Sequence, residues 1–100
     1  MDRSAALDRQ LTQLESELKR LEAEYTMFFA GRLPKPPVET RARVVALVNQ
    51  YDRAHIPNTG HRFRFSTLQA RFAALTRLWD RTMREKEEGR PRPLSTKVET

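Results

Sequence analysis

The stretch that decides the fold is LDRQLTQLESELKRLEAEYTMFF, residues 7–29. Its apolar residues recur at alternating spacings of four and three, the heptad spacing of a helix that packs along one side. Gly31 follows as a left-handed cap and Pro34 cannot continue a helix. The sequence therefore predicts a first helix over residues 4–30, whose leucine seam comprises Leu7, Leu11, Leu14, Leu18, Leu21, Tyr25 and Phe28.

The segment after Pro37 predicts a second helix over residues 38–54. Proline is favoured immediately before or at the first helical position, and Val38, Val45 and Val48 mark one apolar face. The valines also have strand character. A lone strand would have nothing to pair with, so a helix is the favoured interpretation.

A third helix is predicted over residues 67–88. Residues 66–69, Ser-Thr-Leu-Gln, have the form of a capping box, and residues 55–61 contain the turn formers of a connecting loop. Gly89 and Pro91 end the pattern. The apolar residues of this helix are Phe65, Leu68, Phe72, Leu75 and Trp79.

These elements predict an all-α fold, a helical hairpin or three-helix bundle with a long, coiled-coil-like N-terminal helix. A chain of 100 residues with 38% hydrophobic content suits a single helical domain over residues 1–89. Residues 90–100 have few apolar side chains and two prolines, so we expect a disordered tail or a linker there.

The flanks of the two longer helices carry opposite charges. In the heptad frame Asp8, Glu15 and Glu22 flank the first seam, whereas Arg64 and Arg71 flank the third. Opposite charges beside two apolar seams favour packing of one helix on the other, within one chain or between two. The second helix is then expected to cover the end of the first near Tyr25, Phe28 and Phe29.

The leading functional hypothesis is a non-enzymatic protein interaction or oligomerisation module. The first half of helix one has a narrow leucine stripe of the coiled-coil type, which would bind a partner helix or a second copy of the chain. Packing on the chain's own third helix is an equally weighted alternative. The predicted contact residues are Leu7, Leu11, Leu14 and Leu18, flanked by Glu15 and Glu17.

The alternative hypothesis is binding of nucleic acid or another polyanion. The formal net charge is +6, and fifteen of the nineteen basic residues are arginines, which suits contacts to phosphates. Phe63 and Phe65 alternate with basic residues, as in surfaces that stack bases, although both rings also suit a core. The predicted polyanion-binding residues are Arg41, Arg43, Arg62, Arg64 and Arg71.

Other classes of function are not expected from this sequence. His55 and His61 share one loop but have no carboxylate or cysteine cluster beside them, so we predict no metal site. No nucleophile motif or phosphate-binding glycine loop is present, so we predict neither an enzyme nor a cofactor. Without cysteine or a long apolar run, the chain is expected to be cytoplasmic and outside membranes.

Overall fold

The computed structural model describes residues 3–89 and contains three helices in that range. They are α1 (Arg3–Phe29), α2 (Val38–Arg53) and α3 (Thr59–Gly89). The all-α, three-helix prediction is confirmed, and the valine-rich segment is helical. The predicted tail, residues 90–100, lies outside the described residues. None of the three helices is long and apolar enough to cross a membrane.

The end of α1 is closed by the predicted glycine cap. Gly31 has a φ of +82°, the left-handed conformation that costs glycine least. The Arg32 amide donates to the Met27 carbonyl at 2.8 Å and the Gly31 amide to Phe28 at 3.0 Å. This pair of bonds is a Schellman motif, and it satisfies carbonyls that would otherwise be left without partners at the helix end.

The start of α3 corrects the sequence prediction. The helix begins at Thr59 rather than Thr67, because Asn58 provides the cap. Asn58 Oδ1 accepts a hydrogen bond from the His61 amide at 2.9 Å, as asparagine commonly does at a helix start. The predicted capping box lies inside the helix, where the Thr67 hydroxyl donates to the Phe63 carbonyl at 3.0 Å. Residues 55–57 form the predicted connection, whereas Asn58 is the cap and residues 59–61 form the first helical turn.

The helices α1 and α3 run parallel, and α2 runs antiparallel to both. At one end Arg64 of α3 contacts Asp8 of α1 at 2.9 Å. At the other end the rings of Trp79 and Tyr25 stack with centroids 4.2 Å apart. The prediction that the first and third helices pack together is confirmed, and they do so within one chain.

The position of α2 agrees with the prediction at Tyr25 and differs from it beyond that residue. Its first turn lies beside Tyr25, whose hydroxyl accepts from Arg41 at 2.9 Å, and it then runs back so that Arg43 reaches Glu17. It therefore covers the middle of α1 rather than the Phe28 end. There the Lys86 ammonium of α3 lies 5.6 Å from the centroid of the Phe28 ring, in cation–π geometry.

The core is built on the leucines of α1. Leu11, Leu14, Leu18 and Leu21 are each at most 2% exposed. They pack with Val44 and its neighbours on α2 and with aromatic residues of α3. Full burial of one such side chain stabilises a fold by about 1.5–3 kcal/mol, so this seam accounts for much of the stability of so small a chain.

Candidate protein-binding site

The predicted partner-binding leucines are mostly inside the fold. Leu11, Leu14 and Leu18 belong to the buried core, and Leu7 is partly buried and packs against it. The expectation of an exposed leucine groove is therefore wrong. The groove is completed by α2 and α3 of the same chain. Packing on the chain's own third helix was the alternative prediction for these leucines.

The two acidic residues predicted to flank that groove are also engaged within the chain. Glu15 Oε1 lies 3.2 Å from the Arg64 guanidinium, and Glu17 Oε1 lies 3.4 Å from that of Arg43. Both carboxylates thus serve to hold α3 and α2 against α1. They are not free to meet a partner unless these ion pairs open.

Four of the five predicted polyanion-binding arginines are neutralised by carboxylates of the same chain. Arg64 donates to Asp8, Thr12 and Glu15 of α1 at 2.9–3.2 Å. The other three, with their nearest carboxylate distances, are Arg71 to Glu22 at 2.6 Å, Arg41 to Asp80 at 3.0 Å and Arg43 to Glu17 at 3.4 Å. Each of these four arginines therefore links its own helix to a neighbouring helix.

The titration behaviour of two of these arginines agrees with this role. The hydrogen bond to Asp80 is the main cause that raises the pKa of Arg41, with a further contribution from Tyr25. The hydrogen bond to Glu22 similarly raises the pKa of Arg71. In both cases the nearby anion stabilises the charged guanidinium, as expected for an arginine that pairs with a carboxylate.

Arg62 and Phe63 point away from the bundle, unlike Arg64 and Phe65. Because residues 62–65 are helical, successive side chains are turned by about 100°. Phe65 is 7% exposed and lies in the core, whereas Phe63 is 74% exposed. Arg64 contacts α1, whereas the exposed Arg62 side chain has no hydrogen bond or ion pair within residues 3–89. Of the two rings that suit a core by sequence, only Phe65 lies in it.

Phe63 opens a row of exposed residues on the side of α3 that faces away from the bundle. The row follows spacings of four and three, so its members share one helical face. We call it the outer face of α3, and it consists of Phe63, Thr67, Ala70, Ala74, Arg77 and Arg81, all of them exposed. Leu78, 45% exposed, borders it. Sequence analysis missed this face because only the core-facing row of α3 was traced.

A cavity lies between the start of α1 and the connection from α2 to α3, at the end of the bundle where α3 begins. It has a volume of about 510 Å³, and its walls include Ala6, Leu7, His55, Pro57 and His61. The His61 Nδ1 atom is buried there without a hydrogen-bond partner, and Nε2 lies 3.9 Å from Asp8. Residues 3–89 contain no group of three or more metal-ligating side chains, here or elsewhere.

Comparisons with protein-family models, with curated proteins and with solved structures found no match to this chain.

Proposed function

We propose that the protein is a non-enzymatic helical module that binds another protein through its exposed surface. The observation that carries the proposal is Phe63, a large apolar side chain that remains 74% exposed although Phe65, two residues further along, lies in the core against Tyr51. Aromatic residues are enriched among the energetically dominant positions of protein interfaces.

The closure of the leucine seam also supports this proposal. With α2 and α3 packed on α1, the chain is a folded platform that needs no second copy to bury Leu11, Leu14 and Leu18. A preorganised platform binds with a smaller loss of conformational entropy than a segment that must fold on its partner. We therefore place the interaction surface on the outside of the bundle instead of at the leucines.

Site-specific photo-crosslinking in the source cells tests this proposal. A photoreactive p-benzoylphenylalanine would replace Phe63 in one strain and Gln13, which is exposed on α1, in a control strain. We expect covalent adducts from position 63 that are destroyed by protease and resistant to nuclease, with few from position 13. Equal adducts from both positions, or none from position 63, would overturn the proposal.

A polyanion-binding function is the second candidate, supported by arginines without carboxylate partners. Arg62, Arg77, Arg81 and Arg84 are exposed and form no ion pair within residues 3–89. In the same experiment, adducts destroyed by nuclease would favour this candidate over a protein partner. A steep loss of affinity with added salt would accompany it, because each neutralised phosphate releases counterions.

A further inference from the structure

We infer that the outer face of α3 binds one acidic amphipathic helix of another protein. The inference rests on the proposed function and adds to it the face and the chemistry of the partner.

The shape of the outer face suits a helix laid along it. From Phe63 to Arg81 the face extends over nineteen residues of α3, a rise of about 27 Å along the axis. Ala70 and Ala74 lie in its middle, and their short side chains allow the axis of a second helix to approach to about 8 Å. Phe63 at one end and Leu78 at the border supply the larger apolar contacts.

The outer face carries exposed arginines that would be complementary to carboxylates of a partner. Arg77, Arg81 and Arg84 follow one another along the second half of α3, are exposed, and have no carboxylate partner within residues 3–89. The contrast with Arg64 and Arg71 on the same helix is sharp, because each of these forms an ion pair with α1. Glu85 and Glu88 follow on the same helix, so acidic side chains of a partner would meet Arg77 and Arg81 rather than the last turn of α3. Such a partner would be selected over neutral or basic helices.

A second copy of the chain fits this face poorly. In a parallel pairing of two α3 helices, Arg77 would meet its own equivalent. Like charges at such a position oppose association. In an antiparallel pairing centred on Ala70 and Ala74, Arg77 would lie opposite Thr67 and Arg81 opposite Phe63 of the other copy. Neither orientation brings a carboxylate to these arginines, so self-pairing through this face is disfavoured.

Two other occupants are disfavoured on similar grounds. Residues 90–100 of the same chain carry three basic residues and one acidic residue, so they repeat the charge of the face. A nucleic acid would find no unpaired cation between Thr67 and Ala74, because Arg71 is already bound to Glu22. The apolar middle of the face favours a helix with its own apolar stripe.

The test uses the full chain and a designed peptide probe, followed by fluorescence anisotropy. The probe is a fluorescein-labelled helix of about 20 residues with leucine at heptad positions a and d and glutamate at e and g. A second probe has lysine in place of glutamate, and a labelled single-stranded DNA of equal charge is the third. The variant Arg77→Glu/Arg81→Glu is compared with Arg9→Glu/Arg53→Glu, which makes the same charge change at exposed positions on α1 and α2.

We expect the glutamate probe to bind the wild-type chain, and the Arg77→Glu/Arg81→Glu variant to weaken this binding by about tenfold or more. The control variant should retain affinity within about threefold, and the lysine probe should bind the Arg77→Glu/Arg81→Glu variant better than the wild type. Phe63→Ala should weaken binding of the glutamate probe in the same way.

Several results would overturn the inference. The glutamate probe could fail to bind, or the two charge variants could weaken its binding equally. Tighter binding of the DNA than of the peptide would also contradict the inference, as would a concentration-dependent dimer that Phe63→Ala abolishes. Suppose that one of these results were obtained while photo-crosslinking at position 63 still captured a protein. The inference about an acidic helix would then fail, while the proposed binding function would stand.

Discussion

The Arg64 guanidinium and the Asp8 carboxylate meet at 2.9 Å although the two residues are 56 positions apart in the sequence. The same guanidinium donates to the Thr12 hydroxyl and the Glu15 carboxylate. One side chain of α3 thus contacts three successive positions along the edge of α1, and fixes the parallel register of the two helices.

Replacement of Arg64 by alanine should lower the free energy of unfolding by about 1 kcal/mol, the upper end for partly exposed ion pairs. The cause is the loss of three hydrogen bonds between α1 and α3. Urea denaturation measures the effect. The matched control is Arg62→Ala, which removes an exposed arginine without a described partner and should change stability by less than about 0.5 kcal/mol. Equal losses in the two variants would contradict the assignment.

The cap of α3 predicts a second pair of effects. Asn58→Ala should destabilise the chain by about 1 kcal/mol, because the His61 amide loses its hydrogen-bond acceptor. Ser66→Ala should have little effect, since Ser66 is exposed inside the helix. Urea denaturation and amide exchange at His61 provide the measurements. A larger loss in Ser66→Ala would restore the helix start expected from the sequence.

The core assignment predicts a larger effect on α1. Leu14→Ala should lower the free energy of unfolding by about 2–5 kcal/mol, because Leu14 is 1% exposed and its removal leaves a cavity. Leu78→Ala removes the same atoms from a side chain that is 45% exposed and should cost less than about 1 kcal/mol. Thermal or urea denaturation of both variants is the check. Similar small losses would indicate that the leucine seam is not the core.

We expect the buried Tyr51 hydroxyl to lower the stability of the fold at alkaline pH. Burial raises the pKa of its hydroxyl above the ordinary value of 10.0, because the charged phenolate is disfavoured there. A raised pKa in the folded state means that the stabilisation is complete below pH 10.0 and is lost as the pH rises through the folded value. The difference in free energy of unfolding between Tyr51→Phe and wild type should be constant from pH 7 to 9 and then grow in favour of Tyr51→Phe. A constant difference up to pH 11 would contradict this.

Much of the fold follows from local signals in the sequence. The heptad spacing of α1 and its glycine cap predicted the first helix and its end. The acidic flank of α1 and the basic flank of α3 predicted that these two helices pack together. The start of α3 was not found, because Asn58, Thr59 and Gly60 are common both in loops and in helix caps. In the structure Asn58 caps the helix and Phe65, in the following turns, contacts Tyr51 of α2.

The candidate site was harder to predict than the fold. The leucines satisfied both the core and the docking interpretations, because a narrow seam looks the same whether its partner is internal or external. The arginines Arg41 and Arg43 could be assigned to ion pairs only when the positions of Asp80 and Glu17 were known. Tracing both faces of the third helix from Phe63 onward could have found the outer face, since its spacings of four and three are visible in the sequence.

Backbone NMR of the isotope-labelled full chain, titrated with the glutamate probe, tests the central claim most directly. If binding uses the outside of an already closed bundle, amide shifts should change at Phe63, Ala70, Ala74 and Arg77, while those of Leu11, Leu14 and Leu18 stay nearly constant. Large shifts along Leu11 to Leu18, with the α3 face unchanged, would mean that the partner enters the leucine seam and would contradict the account.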